Sequence, residues 1–189
     1  SVADEDARKV QRLRRAQWPR AAILGANDGL LSTTSLMLGV GAAKEDRRYM
    51  VLSGLAGAVA GACSMAVGEF VSVSTQKDIE KETVIQEDGK RSPEILREDD
   101  GEEVLTNPYK AAVASGVSFL IGSCVPSLSA VLVAQNVVRI VVIAVVASIA
   151  LAFFGGFGAY LGGSPIRISA VRILLGGWIA MAITFGLLK

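Results

Sequence analysis

Asp28 in "GANDGLL" and Glu69 in "SMAVGEF" are carboxylates set in stretches otherwise apolar enough to cross a membrane. Placing an Asp at mid-membrane costs about 2.5–3.5 kcal/mol, and such residues usually face a cavity or an ion path. No lysine, arginine or histidine in any apolar block lies at their depth to neutralise them. Met65 precedes Glu69 by one helical turn and falls on the same helix face. Two carboxylates without a fixed counter-charge call for a cation. Alone they would suit a hard ion such as magnesium or calcium. The thioether adds a soft donor and moves the preference toward a transition metal. The chain has no histidine, and Cys63 lies about 200° around the helix from Met65. A site lacking imidazole and thiolate binds weakly, as a transport site must if it is to release its ion. The same carboxylates can take up protons once the metal leaves.

Depth strengthens the pairing. Asp28 lies eight residues beyond Arg20, and Glu69 eight before Lys77. At the rise of a helix each is roughly 12 Å in from the same face. Along the helix that carries Glu69, a polar stripe runs through Gly61, Met65, Glu69, Ser72, Gln76 and Glu80 at spacings of three or four. Gly54, Gly57, Ala58 and Gly61 form a small-residue seam at its other end.

The elements that must hold these residues follow from composition. The chain has 189 residues, is 51% hydrophobic and has a mean hydropathy of +0.47. Its apolar residues cluster into blocks of about 20, the length a helix needs to cross the hydrocarbon. Five blocks are expected, Ala21–Gly41, Met50–Val73, Ala111–Ala134, Ile140–Gly162 and Ile168–Leu188. The fold class is therefore an all-α membrane protein with five transmembrane helices per protomer. Residues 1–20 read as a cytosolic amphipathic segment at the membrane surface, with no cleavable signal peptide. Residues 21–75 carry the first two membrane helices, 76–110 an acidic cytosolic loop that begins as an extension of the second, and 111–189 the last three. With the N-terminus in the cytosol, fourteen Lys and Arg fall on the cytosolic side and five on the other. That bias favours a cytosolic N-terminus and a lumenal C-terminus.

Other features have plainer readings. Arg172 lies about one turn into the fifth block and can snorkel to the cytosolic surface. Cys63 and Cys124 read as packing residues, and Pro126 as a kink in the third helix. The Gly-Gly pairs at 155–156, 162–163 and 176–177 lack a phosphate-loop pattern and read as packing or loop features. Net charge is +1, and nucleic acid is not an expected partner. No enzymatic chemistry is indicated. Asp28 and Glu69 could also be protonated structural acids bonded to neighbouring helices.

Four stretches together resemble the vacuolar iron transporter family, in its plant nodulin-like branch with a short cytosolic loop. They are "GANDGLLSTTSLMLGV", "GLAGAVAGACSMAVGEFVSVSTQKDIE", "NPYKAAVASGVSFLIGSCVP" and "RISAVRILLGGWIAMAITFGLLK". The resemblance runs from about Trp18 to Lys189. It implies a homodimer with the pathway at the two-fold interface, lined by the first two helices. It also implies proton-coupled export of ferrous iron, with manganese as a second candidate cargo, from cytosol into the vacuole. No resident cofactor is implied; the metal is cargo and the proton the coupling ion. The metal-carrying positions of the family fall on Asp28 and Met65, with Glu69 the acid nearby. Better-known members have a longer cytosolic domain rich in Glu and Met that gathers iron. Here no methionine lies between Met65 and Met181. Glu87 matches that domain's first ligand glutamate, and Glu80 lies on the same helical extension, so a reduced cytosolic metal-entry region is expected. A passive divalent-cation channel and a non-transporting membrane scaffold are the alternatives.

Overall fold

The computed structural model describes residues 17–88, 107–161 and 165–189, and these residues form five α-helices. They are α1 (Gln17–Ala43), α2 (Arg47–Asp88), α3 (Pro108–Leu132), α4 (Asn136–Leu161) and α5 (Ile166–Leu188). Each expected apolar block lies within one helix to within two residues. The amphipathic surface segment expected over residues 1–20 lies outside the described residues up to position 16.

Local chemistry sets the helix ends. The charged run Lys44-Glu45-Asp46 ends α1, and Asp46 Oδ1 then accepts from the Arg48 amide at 2.8 Å, capping the start of α2. Asn107 caps α3, its Oδ1 accepting from the amides of Tyr109 at 3.0 Å and Lys110 at 3.4 Å, with Pro108 at the first helical position. Pro126 sits buried inside α3, which runs on unbroken past it. At 42 residues α2 is about 63 Å long, twice what a bilayer core requires, so it projects beyond the membrane.

Four helical segments are long and apolar enough to cross a membrane: Arg47–Ile79 of α2, and the whole of α3, α4 and α5. By the same measure α1 falls short, because Asn27, Asp28 and the run Ser32–Ser35 dilute its apolar content. The five expected spans are thus not equivalent. It is α1, the most polar of them, that packs against all four others. A helix with buried Thr33, Thr34 and Ser35 would be costly against lipid, and the surrounding helices shield it.

The tightest packing is between α1 and α3. A Cβ on Gly25 would meet the carbonyl oxygen of Ser115, one on Gly29 that of Phe119, and one on Gly122 that of Ala26. Hydrogen bonds tie the same two helices. Thr33 Oγ1 donates to Ser123 Oγ at 2.9 Å, and Ser123 Oγ lies 3.1 Å from the Gly29 carbonyl and 2.9 Å from that of Phe119. The seam expected on α2 is of another kind. Gly54 and Gly57 face the side chains of Met37 and Leu36, and Gly61 faces the ring of Phe119. Its glycines are notches that receive side chains, whereas backbone meets backbone at α1–α3. Both cysteines are free and exposed, so neither is the packing residue expected.

The end of the bundle away from the N-terminus is held by Arg139, which is 1% exposed. Its Nη1 donates to the carbonyls of Val133 at 3.4 Å and Ala134 at 3.2 Å, just past the end of α3. Its Nη2 donates to the Glu45 carbonyl at 3.0 Å and to Asn136 Oδ1 at 2.8 Å. One guanidinium thereby joins the α1–α2 turn to the α3–α4 turn.

Candidate cation site between α1 and α2

The first two helices run antiparallel, and between them lies a cavity of about 350 Å³. From α1 it is lined by Asp28, Ser32 and Leu36, whose spacings of four put them on one face, and by Thr33 beside Ser32. From α2 it receives Met65 and Glu69, one turn apart, together with Ser64. Gly57, Gly61 and Gly68 leave the space open, and Phe119 of α3, 3% exposed, closes the inner wall against Gly61. The three residues picked out for their chemistry thus meet in one place.

Asp28, Met65 and Glu69 are each half-buried. No basic side chain lines the cavity. Ser32 Oγ donates to Asp28 Oδ1 at 2.7 Å, one turn along the same helix, fixing one carboxylate oxygen and leaving the other available. Among the described residues Glu69 makes no hydrogen bond or ion pair, and Asp28 has no partner on another helix. Structural acids stapling helices together would be bonded across the interface. These are not.

Ser32 and Ser64 were not singled out from the sequence, although each had a signal. Ser32 is four residues from Asp28, and Ser64 is next to Met65. Further along the expected stripe, Ser72 and Gln76 are exposed on α2. Glu80 and Glu87 belong to the last turns of α2, and their side chains lie outside the described residues.

The donor set is two carboxylates, one thioether and nearby hydroxyls. Among the described residues no group of three or more His, Cys, Asp or Glu side chains could hold a metal ion. One chain therefore offers part of a coordination shell, and an ion at this cavity needs further ligands from water or from another copy.

Fold and cavity together define a multi-pass helical membrane protein with an acid-lined cavity between its first two helices. Comparison with known sequences gives the family: the chain belongs to the VIT family, whose profile matches residues 19–100 and 91–189. It is 51% identical to vacuolar iron transporter homolog 2.1 of Arabidopsis thaliana, over 96% of this chain and 84% of the relative. It is 52% identical to VIT-like transporter 1b of Glycine max, over 100% of this chain and 82% of that protein. With vacuolar iron transporter homolog 5 of Oryza sativa subsp. japonica it shares 53% identity, covering 93% and 81%.

Proposed function

We propose that this protein is a proton-coupled ferrous iron transporter that moves the metal from the cytosol into a vacuole or vacuole-like compartment. The observation that carries the reading is the convergence of Asp28, Met65 and Glu69 on one cavity with no basic lining residue. The names of the relatives pair this architecture with iron and the vacuole, and both are carried here to this chain.

Asp28 and Met65 hold the ion, and Ser32 keeps the Asp28 carboxylate turned toward it. Glu69, nearer the long cytosolic extension of α2, admits the ion or takes up a proton as it leaves. Glu80 and Glu87, further along that helix, supply a cytosolic entry path. On the acidic side of the membrane protonated carboxylates release the metal, and the return of protons resets the site. A second copy apposed at the α1–α2 side completes the coordination shell with its own pair of carboxylates. Exposed Ser64, Val67, Gly68 and Val71 on the outer face of α2 are available for that contact. Manganese fits the same donors.

Proteoliposomes loaded at acidic internal pH test this directly. Ferrous iron uptake should be accompanied by proton efflux, and both should fall in Asp28→Ala and Met65→Ala. Iron movement without proton flux would indicate a passive channel. Wild-type transport in both variants would sink the assignment.

A further inference from the structure

The apolar second half of the chain carries two arginines, Arg167 and Arg172, for which it supplies no partner among the described residues. Every Asp and Glu lies within residues 1–103, so α3, α4 and α5 contain none. Arg167 and Arg172 are both exposed at the N-terminal end of α5, a helix long and apolar enough to cross a membrane. They line a common hollow of about 430 Å³ with Ile168, Val171 and Leu175. The acids of α2 lie on the other side of the bundle, since α2 packs on α1 and α3 and α5 packs on α1 and α4. Among the described residues no salt bridge reaches either arginine.

The surroundings specify what would satisfy them. Arg172 lies about 9 Å into the helix, where a guanidinium is costly unless it reaches the interface or meets an anion. The first turn of α5 has no acidic residue, and Pro165 at its N-cap provides no side-chain acceptor. Among the described residues no side chain caps the amides of Ile166, Arg167 and Ile168 at the positive end of the helix, beside the two arginines. Immediately below, Ile168, Val171 and Leu175 are 57%, 55% and 54% exposed. An anion above an apolar strip is the chemistry of a phospholipid. A soluble phosphate would leave the strip unused.

We propose that Arg167 and Arg172 form a binding site for an anionic phospholipid, its phosphate held by the two guanidiniums and its acyl chains lying along Ile168, Val171 and Leu175. The site belongs to the leaflet at the N-terminal end of the bundle, which the distribution of Lys and Arg assigns to the cytosol. Arg20 of α1, exposed at the same end, extends the positive potential along that leaflet. The inference uses only the membrane-crossing α5 and does not depend on which metal is moved.

Native mass spectrometry of the full chain in detergent tests it, with phosphatidylglycerol and phosphatidylcholine of matched acyl chains as probes. Two arginines near the surface should favour phosphatidylglycerol roughly tenfold or more. Double substitution to Gln (R167Q with R172Q) should abolish that preference, double substitution to Lys should retain part of it, and R48Q at the opposite end should leave it intact. Should the double Gln variant not fold, R172Q alone and the Lys pair give the same reading. Equal retention of the two lipids, or a preference that survives loss of both arginines, would overturn the site. Displacement of the bound lipid by inorganic phosphate would overturn its assignment to lipid.

Discussion

At Asp28 a single contact divides the roles of its two oxygens: Ser32 holds one at 2.7 Å and the other is left to the cavity. Removing the Ser32 hydroxyl frees the carboxylate to rotate but deletes no ligand. Ser32→Ala is therefore expected to reduce iron transport by a few-fold, against about tenfold or more for Asp28→Ala, a gap set by the modest worth of one hydrogen bond. Initial rates of iron uptake into proteoliposomes check the ranking. At Met65 the donor and packing roles can be separated. Leucine keeps the volume and loses the sulfur, so Met65→Leu should leave thermal stability within about 1.5 kcal/mol of wild type. It should nevertheless narrow the preference for ferrous iron over magnesium, measured by competition in the same vesicles.

Among the elements, the α1–α3 contact decides where Asp28 stands. Gly29 is next to Asp28 and lies against the Phe119 carbonyl, so a methyl group there pushes two backbones apart. Gly29→Ala is expected to destabilise by about 1–3 kcal/mol and to impair transport by shifting Asp28 out of the cavity. Gly186→Ala, where a Cβ meets nothing within 4 Å, should be neutral or stabilising by up to about 1 kcal/mol. Thermal unfolding in detergent distinguishes the two. At the far end of the bundle, Arg139→Ala leaves the carbonyls of Glu45, Val133 and Ala134 without their donor. A loss of about 2–4 kcal/mol is expected from charge-assisted bonds of this number. Lysine should restore little, because a point charge cannot span both turns as the planar fork does.

For the whole molecule the unequal helices have a common logic. The chain places its ionisable and hydroxyl-rich helix in the centre and its most apolar helices around it, as lipid requires. The exception is the side where α1 and α2 open onto the cavity, and that is the side proposed to meet a second copy. Titration of the detergent-solubilised protein with manganese, a ferrous surrogate stable in air, is expected to give one bound ion per two chains. One ion per chain would show that water completes the shell instead.

The sequence by itself located the apolar blocks of the five described helices, because a bilayer demands about 20 apolar residues per crossing and breaks fall where charges and prolines cluster. It also singled out the three side chains that the fold brings to one cavity. A carboxylate in apolar sequence is too costly to lack a purpose, and counting residues from the flanking charges set Asp28 and Glu69 at one depth. Three things were left to tertiary structure. The close seam proved to be α1 on α3, because glycine spacing marks where a backbone can approach but not which partner fills the notch. Ser32 and Ser64 joined the cavity through helix rotation about one another, which periodicity within a single helix does not fix. Arg139 falls between the expected blocks Ala111–Ala134 and Ile140–Gly162, yet it is the buried clamp of two turns, since only the folded chain brings the carbonyls of Glu45, Val133 and Ala134 within reach of one guanidinium.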